Sequence, residues 1–231
     1  MRYIRPLSIE DAVGQLAGSA GTAAILAGGS DLLVRMKGGF AEPELIVDIK
    51  AIDGLSEIRE TAEGFSIGAA VPCAVLGENT ALRKAWPGVV EAAKLIGSKQ
   101  VQGRCTIVGN LCNASPAADG VPGLLILDAE VELRSVAATR HLPLQDFILG
   151  NRRTALLPGE MVTAIRVPKP SGTSAFVKLG ARRYLVISIA MVAARLVVQD
   201  GLVRQAAVAA GSCSVVAKRL AGVEAALHGL P

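Results

Sequence analysis

The glycine-containing stretch LAGGSDLL, at residues 26–33, is the part of the sequence that most strongly constrains the fold. The apolar run AAIL at residues 23–26 leads into it and predicts a short buried strand that ends at the pair Gly28-Gly29. Backbone N–H groups at such a pair have no side chain in front of them, so they can form a nest for an anion such as phosphate. An ordinary turn is the alternative interpretation, and the motif on its own favours that alternative.

The residues around this stretch predict an α/β unit. Ser8 followed by Asp11 predicts the start of a helix that ends near Gly18, and DLLVRMK predicts a second helix after the glycine pair. The apolar run LIVDI at residues 45–49 predicts a second buried strand. After residue 55 we expect a hairpin with its turn at residues 63–64, followed by helices at 74–79 and 88–96. Further along, we expect a short apolar helix that leads into a strand near residues 131–133, and a last strand at 161–168.

The proline- and glycine-containing segment PKPSGTS, at residues 168–174, is the best candidate for a linker. It predicts an N-terminal domain at residues 1–170, with subdomains at about 1–54 and 55–170, and a C-terminal domain at residues 171–231.

The C-terminal domain is predicted to contain a three-stranded antiparallel sheet followed by one helix. We expect strands at residues 175–183, 186–198 and 203–213, a tight turn at Gly201-Leu202, and a closing helix at residues 215–227. Because a single helix leaves one edge of such a sheet poorly covered, we expect this domain to be truncated or partly lost to disorder.

Composition argues against several classes of protein. The chain has 231 residues, of which 51% are hydrophobic and 19% charged, and these values are typical of a globular protein. The net charge of +4 comes from scattered basic residues and only 3% of the residues are aromatic, so we expect no nucleic-acid surface. Residues 12–30 carry no charge, but their five glycines predict that they do not span a membrane.

The cysteines and histidines do not have the spacing of a metal site. The four cysteines include no CxxC pair and the chain has two histidines, so we expect neither an iron–sulfur cluster nor a zinc ion within this chain. Cys105 and Cys112 could form a redox pair, but buried reduced thiols are the favoured interpretation. Reduced thiols are typical of a reducing compartment, and we therefore expect a cytoplasmic protein.

A second polar stretch, TIVGNLCNASPAAD at residues 106–119, places hydrogen-bonding side chains beside small residues. Gly109 would let the backbone approach a ligand closely. Asx-turns and helix caps are an alternative use for several of these side chains, so the residues alone leave a ligand site and a structural loop equally open. The polar residues of the stretch are Thr106, Asn110, Asn113, Ser115 and Asp119.

Together, LAGGSDLL and IGSKQVQGRCTIVGNLCNASPAAD resemble the flavin-binding subunit of the molybdenum hydroxylases. This family includes the medium chain of carbon monoxide dehydrogenase and is similar to the flavin domain of xanthine dehydrogenase. Its motifs are A-G-G-x-[DNS]-L and T-I-G-G-N followed by A-S-P-x-x-D, and the later segment FVKLGARR also agrees. The resemblance extends from Pro6 to the C-terminus. It implies an α+β fold, in which a two-subdomain FAD-binding domain of the PCMH (vanillyl-alcohol-oxidase-like) type precedes the smaller α+β domain.

The resemblance also implies an FAD whose pyrophosphate is held by both glycine stretches. Asp119 would anchor polar groups of the flavin, Ile96 and Val162 would pack against the cofactor, and Lys178 matches a family lysine near the flavin. Ser115 is a weaker match. The implied cofactor-binding residues are Ile25, Leu26, Ala27, Gly28, Gly29, Ser30, Asp31, Leu32, Ile96, Thr106, Gly109, Asn110, Ser115, Asp119, Val162 and Lys178.

Three positions depart from the family pattern. Cys105 and Val108 stand where the family usually has glycine, and Val186 stands where it has aspartate. A β-branched Val108 would be strained if its position required a positive φ, and it would crowd the pyrophosphate if it lay beside it. These departures bear on cofactor affinity more than on the fold.

The resemblance implies an electron-transfer subunit with no catalytic side chain and no metal of its own. Its partners would be a molybdopterin-containing large subunit, where substrate is oxidised, and a [2Fe–2S] small subunit, in a heterotrimer whose further dimerisation is left open. Electrons would pass from the FAD to an external acceptor. Alternatives are a scaffold or regulatory subunit of the same fold with weakened or lost FAD binding, and, last, a stand-alone flavin oxidase.

Overall fold

The computed structural model describes residues 1–169 and 172–231, and it has mixed α/β architecture. The N-terminal unit is a parallel sheet of three strands, in the order β1-β3-β2, with two helices and a 3-10 turn at Ile49–Ala51. Its elements are β1 (Arg2–Ile4), α1 (Ile9–Ala17), β2 (Ala23–Leu26), α2 (Leu32–Lys37) and β3 (Leu45–Asp48).

The second unit is built on an antiparallel sheet of five strands in the order β4-β5-β10-β6-β7, with a separate two-stranded ribbon, β8-β9. The strands are β4 (Ile58–Glu60), β5 (Gly64–Gly68), β6 (Glu130–Arg134), β7 (Thr139–Pro143), β8 (Ile148–Gly150), β9 (Arg153–Thr154) and β10 (Met161–Pro168). The helices are α3 (Cys73–Glu78), α4 (Thr80–Ala85), α5 (Pro87–Leu95), α6 (Lys99–Gln102), α7 (Ile107–Asn113), α8 (Gly120–Leu125) and α9 (Leu144–Phe147).

The sheet of the C-terminal unit has four strands and not the predicted three, because a short fourth strand pairs with the third. Pairing of Gln199 with Leu202 leaves Asp200 and Gly201 as the tight turn, one residue earlier than predicted. The closing helix begins at Ala221 because the residues before it are used by this fourth strand. The elements are β11 (Thr173–Leu179), β12 (Ala190–Gln199), β13 (Leu202–Gly211), β14 (Lys218–Arg219) and α10 (Ala221–Leu227).

Local signals account for several element boundaries. Ser8 accepts a hydrogen bond from the Asp11 N–H at the start of α1, and Gly18 follows its end, as predicted. The strand expected at Met161–Pro168 is confirmed at exactly these residues. The strands β1 and β7 were missed because neither has the apolar alternation that marks a half-buried strand.

One hydrophobic core runs through all three units. It includes Val47 on β3, Ile165 on β10 and Ala193 on β12, all fully buried. The boundary predicted between the two domains, at residues 170 and 171, lies outside the described residues. Among the helices that the structure describes, none is both long and apolar enough to cross a membrane.

Candidate cofactor site

A cavity of about 530 Å³ lies beside β2, from the turn that precedes this strand to the glycine stretch at its carboxyl end, and the start of α7 contributes to its wall. Residues from the first glycine stretch, from the second polar stretch and from the segment that precedes β10 surround it. Open α/β sheets commonly bind ligands at the carboxyl ends of their strands, and the volume lies within the usual range for small-molecule sites. The cavity is therefore the candidate site.

The first glycine stretch is pressed against the backbone that precedes the second. A Cβ atom placed on Gly28 would lie 2.7 Å from Cys105 Cα and closer still to the Arg104 carbonyl oxygen. Gly29 follows with a φ of 77°, a backbone conformation that residues other than glycine rarely adopt. A glycine at residue 28 is therefore what allows the two stretches to form one wall.

The second stretch is fixed by its own capping interactions. The Thr106 hydroxyl accepts a hydrogen bond from the Gly109 N–H at 2.9 Å and so caps α7. The Cys73 N–H donates to the Cys105 carbonyl at 2.8 Å, and Pro72 pairs with Thr106 in an antiparallel bridge. The start of α7 is therefore held against the start of α3 and faces the cavity.

Side chains also connect the two stretches beside the cavity. The side-chain Nδ2 of Asn113 donates to Asp31 Oδ1 at 2.7 Å, and the Arg152 guanidinium donates to the side-chain Oδ1 of Asn113. Arg152 Nη1 also lies 3.9 Å from Asp31 Oδ1. The negative charge of Asp31 is therefore compensated where it faces the cavity.

The second carboxylate of the cavity wall is compensated as well. Glu160 receives two hydrogen bonds of 2.8 Å from the guanidinium of Arg140 and one of 2.8 Å from the Leu157 N–H. The Arg140 guanidinium is the main reason that the pKa of Glu160 lies below its ordinary value.

A buried ion pair lies next to the second stretch. Lys178 Nζ is 2.6 Å from Asp119 Oδ2, with 9% and 8% of the two side chains exposed, and the Ser188 hydroxyl donates to Asp119 Oδ1. These residues come from the N-cap position of α8, from β11 and from the segment before β12. The pair is outside the wall of the cavity, and its two charges neutralise each other.

The structure brings ten of the sixteen predicted cofactor-binding residues to the cavity wall. Leu26, Ile96 and Asn110 are outside it; the Asn110 side chain instead accepts a hydrogen bond from Gly120 N at 3.0 Å. Ser115 is also outside it and accepts a hydrogen bond from Ala117 N within its own turn. The ten are Ile25, Ala27, Gly28, Gly29, Ser30, Asp31, Leu32, Thr106, Gly109 and Val162.

Val108 is not strained, which answers one question raised by its departure from the family pattern. It lies in the first turn of α7 and is absent from the residues with positive φ in the described chain. Its side chain is 4% exposed, packs in the core and contributes to the cavity wall. The isopropyl group therefore narrows the cavity without distorting the backbone.

Sequence reasoning missed several parts of the cavity, including Leu16, Ser19 and Gly21 near the end of α1 and Ala23 on β2. Residues 156–160 form part of its wall, although they are distant in sequence from both glycine stretches. The only local signal is the turn dipeptide Pro158-Gly159 in this segment. Within the described part of the chain, no group of three or more metal-ligating side chains is present.

These features define an α/β protein with a cavity between a glycine turn and the start of a helix. The chain belongs to the family described as the FAD binding domain in molybdopterin dehydrogenase, whose model matches residues 1–170. FAD is the cofactor of that family, and the recognition made from the two motifs is confirmed.

Curated relatives agree with this assignment. The FAD-subunit of nicotinate dehydrogenase from Eubacterium barkeri is 35% identical over 193 residues, covering 81% of this chain and 65% of the relative. The medium chain of carbon monoxide dehydrogenase from Afipia carboxidovorans is 38% identical over 169 residues, covering 73% of this chain and 58% of the relative. The matched regions thus span less than two thirds of these relatives.

A solved structure supports the same fold over the full chain. Reconstituted carbon monoxide dehydrogenase from Oligotropha carboxidovorans matches with a TM-score of 0.95 and 32% identity, covering 100% of this chain and 81% of that chain.

Proposed function

We propose that this chain binds FAD in the cavity between the two glycine stretches and transfers electrons as the flavin subunit of a multi-subunit molybdenum hydroxylase. The observation that carries the proposal is the contact of Gly28 with the Arg104–Cys105 backbone, which makes two motifs far apart in sequence into one wall. The family match supports FAD as the ligand.

The residues of the cavity suit an anionic dinucleotide. Ser30 and Thr106 supply hydroxyl groups at the wall, and the backbone of the glycine pair Gly28-Gly29 lies at the same wall. Both carboxylates of the wall, Asp31 and Glu160, are paired with arginine, so neither presents an uncompensated negative charge to a pyrophosphate.

We assign the predicted residues two kinds of role. The ten on the cavity wall would contact FAD directly, with the first stretch and the start of α7 on the pyrophosphate and Val162 against an apolar part. Asn110 and Ser115 would hold the second stretch in shape, Leu26 would pack beside Gly29 of the first stretch, and Ile96 would pack against the core. The Asp119–Lys178 pair would border the flavin end of the site. FAD would supply the electron-accepting chemistry, and the chain would set its position and electrostatic surroundings.

The partners in this proposal are a molybdopterin-containing large subunit and a [2Fe–2S] small subunit, in a heterotrimer. Relatives whose names include medium chain or FAD subunit support this assignment. The electron acceptor would be external. We further propose an FAD-binding domain at residues 1–170, where the family match ends, and a smaller domain from residue 171. The four free cysteines support a reducing, cytoplasmic location.

The direct test is an equilibrium titration of the purified chain with FAD, followed by quenching of flavin fluorescence. We expect saturable binding of one FAD per chain, competed by ADP and not by adenosine, because the pyrophosphate is the group that both motifs hold. A folded chain that binds no FAD would contradict the proposal. Affinity purification of the native protein with mass spectrometry of the bound chains tests the partners separately.

A second candidate function is a scaffold subunit of the same fold that has lost FAD. The burial of Val108 in the cavity wall favours it, because the side chain occupies space that a glycine would leave free. Val108→Gly distinguishes the two functions. The scaffold function is supported if only the variant binds FAD, whereas the flavin-subunit function requires that the wild-type chain binds it.

A further inference from the structure

We infer that Lys50 is a positioning residue that orients the first glycine stretch for an anionic ligand. The inference rests on the proposed function, since the ligand in question is the pyrophosphate of FAD. Lys50 lies in the 3-10 turn after β3 and is not part of the cavity wall. Its Nζ donates a 3.1 Å hydrogen bond to the carbonyl oxygen of Ala27, which is part of that wall.

Lys50 is itself held by a buried carboxylate. Asp48, at the end of β3, is 4% exposed, and its Oδ1 lies 2.7 Å from Lys50 Nζ and accepts a hydrogen bond from Lys50 N at 3.1 Å. The Tyr3 hydroxyl donates to the other oxygen of Asp48. Residues from β1, from β3 and from the loop after β2 are thereby connected across the carboxyl ends of all three parallel strands.

Because the peptide unit is planar, the hydrogen bond from Lys50 to the Ala27 carbonyl also sets the direction of the Gly28 N–H. No cis peptide bond occurs in the described chain, so the carbonyl of Ala27 and the N–H of Gly28 point in opposite directions. By fixing the carbonyl on the side of the 3-10 turn, Lys50 directs the Gly28 N–H to the opposite side of the strand end. On its other side Gly28 meets the Arg104–Cys105 backbone. The loop is thus held from both sides.

The pairing with Asp48 also argues against a direct role for Lys50 in binding phosphate. Its ammonium group is already shared between a carboxylate and a backbone carbonyl. A lysine that neutralised the pyrophosphate itself would be expected to point into the cavity. The contribution of Lys50 is therefore the orientation of a backbone donor.

The first arm of the test needs no ligand. Hydrogen–deuterium exchange of the full chain is compared for wild type, Lys50→Met, Lys50→Arg and Lys84→Met; Lys84 is an exposed lysine that controls for the lost charge. The Leu33 N–H donates to the Gly29 carbonyl at 3.0 Å and so reports on the order of the loop. We expect its exchange to be about ten-fold faster in Lys50→Met, near wild type in Lys50→Arg and unchanged in Lys84→Met. Equal exchange in Lys50→Met and wild type would overturn the inference.

The second arm measures FAD affinity in the same four proteins. We expect Lys50→Met to weaken binding about ten-fold, with substantial recovery in Lys50→Arg and no change in Lys84→Met. Unchanged affinity in Lys50→Met would also overturn the inference. If the wild-type chain binds no FAD, the proposed function fails while the exchange arm still decides whether Lys50 orders the loop.

A third variant covers the case in which Lys50→Met does not fold. Lys50→Gln keeps a polar side chain but is too short to hold both Asp48 and the Ala27 carbonyl, and the same exchange pattern is expected from it. Faster exchange across the whole parallel sheet, with no excess at the Leu33 N–H, would indicate a general structural role and contradict positioning.

Discussion

Substitution of Gly28 by alanine is expected to separate the two glycine stretches. The new Cβ would lie 2.7 Å from both Arg104 C and Cys105 Cα, whereas carbon atoms in contact are normally about 3.5 Å apart or more. The Arg104 carbonyl oxygen would be nearer still, at 2.1 Å, so the backbone must move by roughly 1 Å or more. Because the obstructing atoms are backbone atoms and not the end of a flexible side chain, no rotamer change can relieve the overlap.

The size of the effect follows from the cost of overpacking. Adding a methyl group to a closely packed site costs about 1–3 kcal/mol, and rigid neighbours place this site near the upper limit. Alanine also lowers the conformational entropy of the unfolded chain, which stabilises the folded state by at most about 1 kcal/mol. A net loss of about 2 kcal/mol corresponds to a fall in Tm of about 4–8 °C for a chain of this size.

Thermal unfolding followed by circular dichroism measures this change, with Gly14→Ala as the matched control. Gly14 lies inside α1, and a Cβ placed there meets no atom within 4 Å. The control should therefore gain about 0.5–1 kcal/mol from helix propensity. We also expect Gly28→Ala to weaken FAD binding while Gly14→Ala does not. A Gly28→Ala protein with wild-type Tm and wild-type FAD affinity would refute the steric argument.

Three further predictions concern side chains at or beyond the cavity. Lys178→Met leaves the buried Asp119 carboxylate unpaired and should lower the free energy of unfolding, measured in urea, by about 3–5 kcal/mol. Adding Asp119→Leu to this variant should restore part of that stability. If the effects of the two substitutions simply add, the pairing is contradicted. The pKa of Glu160 lies below its ordinary value of 4.5, mainly because of Arg140, so its stabilising effect is present above that pH and is lost as the pH falls through the lowered pKa. Glu160→Gln should therefore be less stable than wild type at pH 7, with a difference that shrinks below about pH 4.5; a difference independent of pH would argue against the ion pair. Finally, Cys213 is exposed, and we expect one cysteine to react rapidly with a thiol reagent in the native protein and all four to react in denaturant. Rapid reaction of three or four cysteines in the native protein would contradict the observed burial.

The sequence predicted those helices and strands that are determined by interactions between residues close together in the chain. The strand at Met161–Pro168 is a mostly apolar run whose first five residues are all buried, and Ser8 begins α1 because its hydroxyl caps an otherwise unpaired N–H group. The closing helix was placed too early because the pairing of Lys218 and Arg219 with β13 is a tertiary interaction that propensity does not express.

The candidate site was predictable as two motifs but not as a complete cavity. Residues 156–160 and Lys50 become relevant only when β10 and β3 bring them to the same edge as the glycine stretches. The helical conformation of Val108 could have been inferred, since Thr106 is a good N-cap two residues earlier. The pairing of Asp119 with Lys178 spans 59 residues and depends on packing of α8 against the C-terminal unit.

The most direct test of the central claim is the footprint of FAD on the full chain, measured by hydrogen–deuterium exchange with and without saturating cofactor. The account predicts slower exchange in the presence of FAD at two separate segments, residues 26–32 and 106–110, because both belong to one binding wall. Protection of only one of these segments, or protection confined to other parts of the chain, would contradict it.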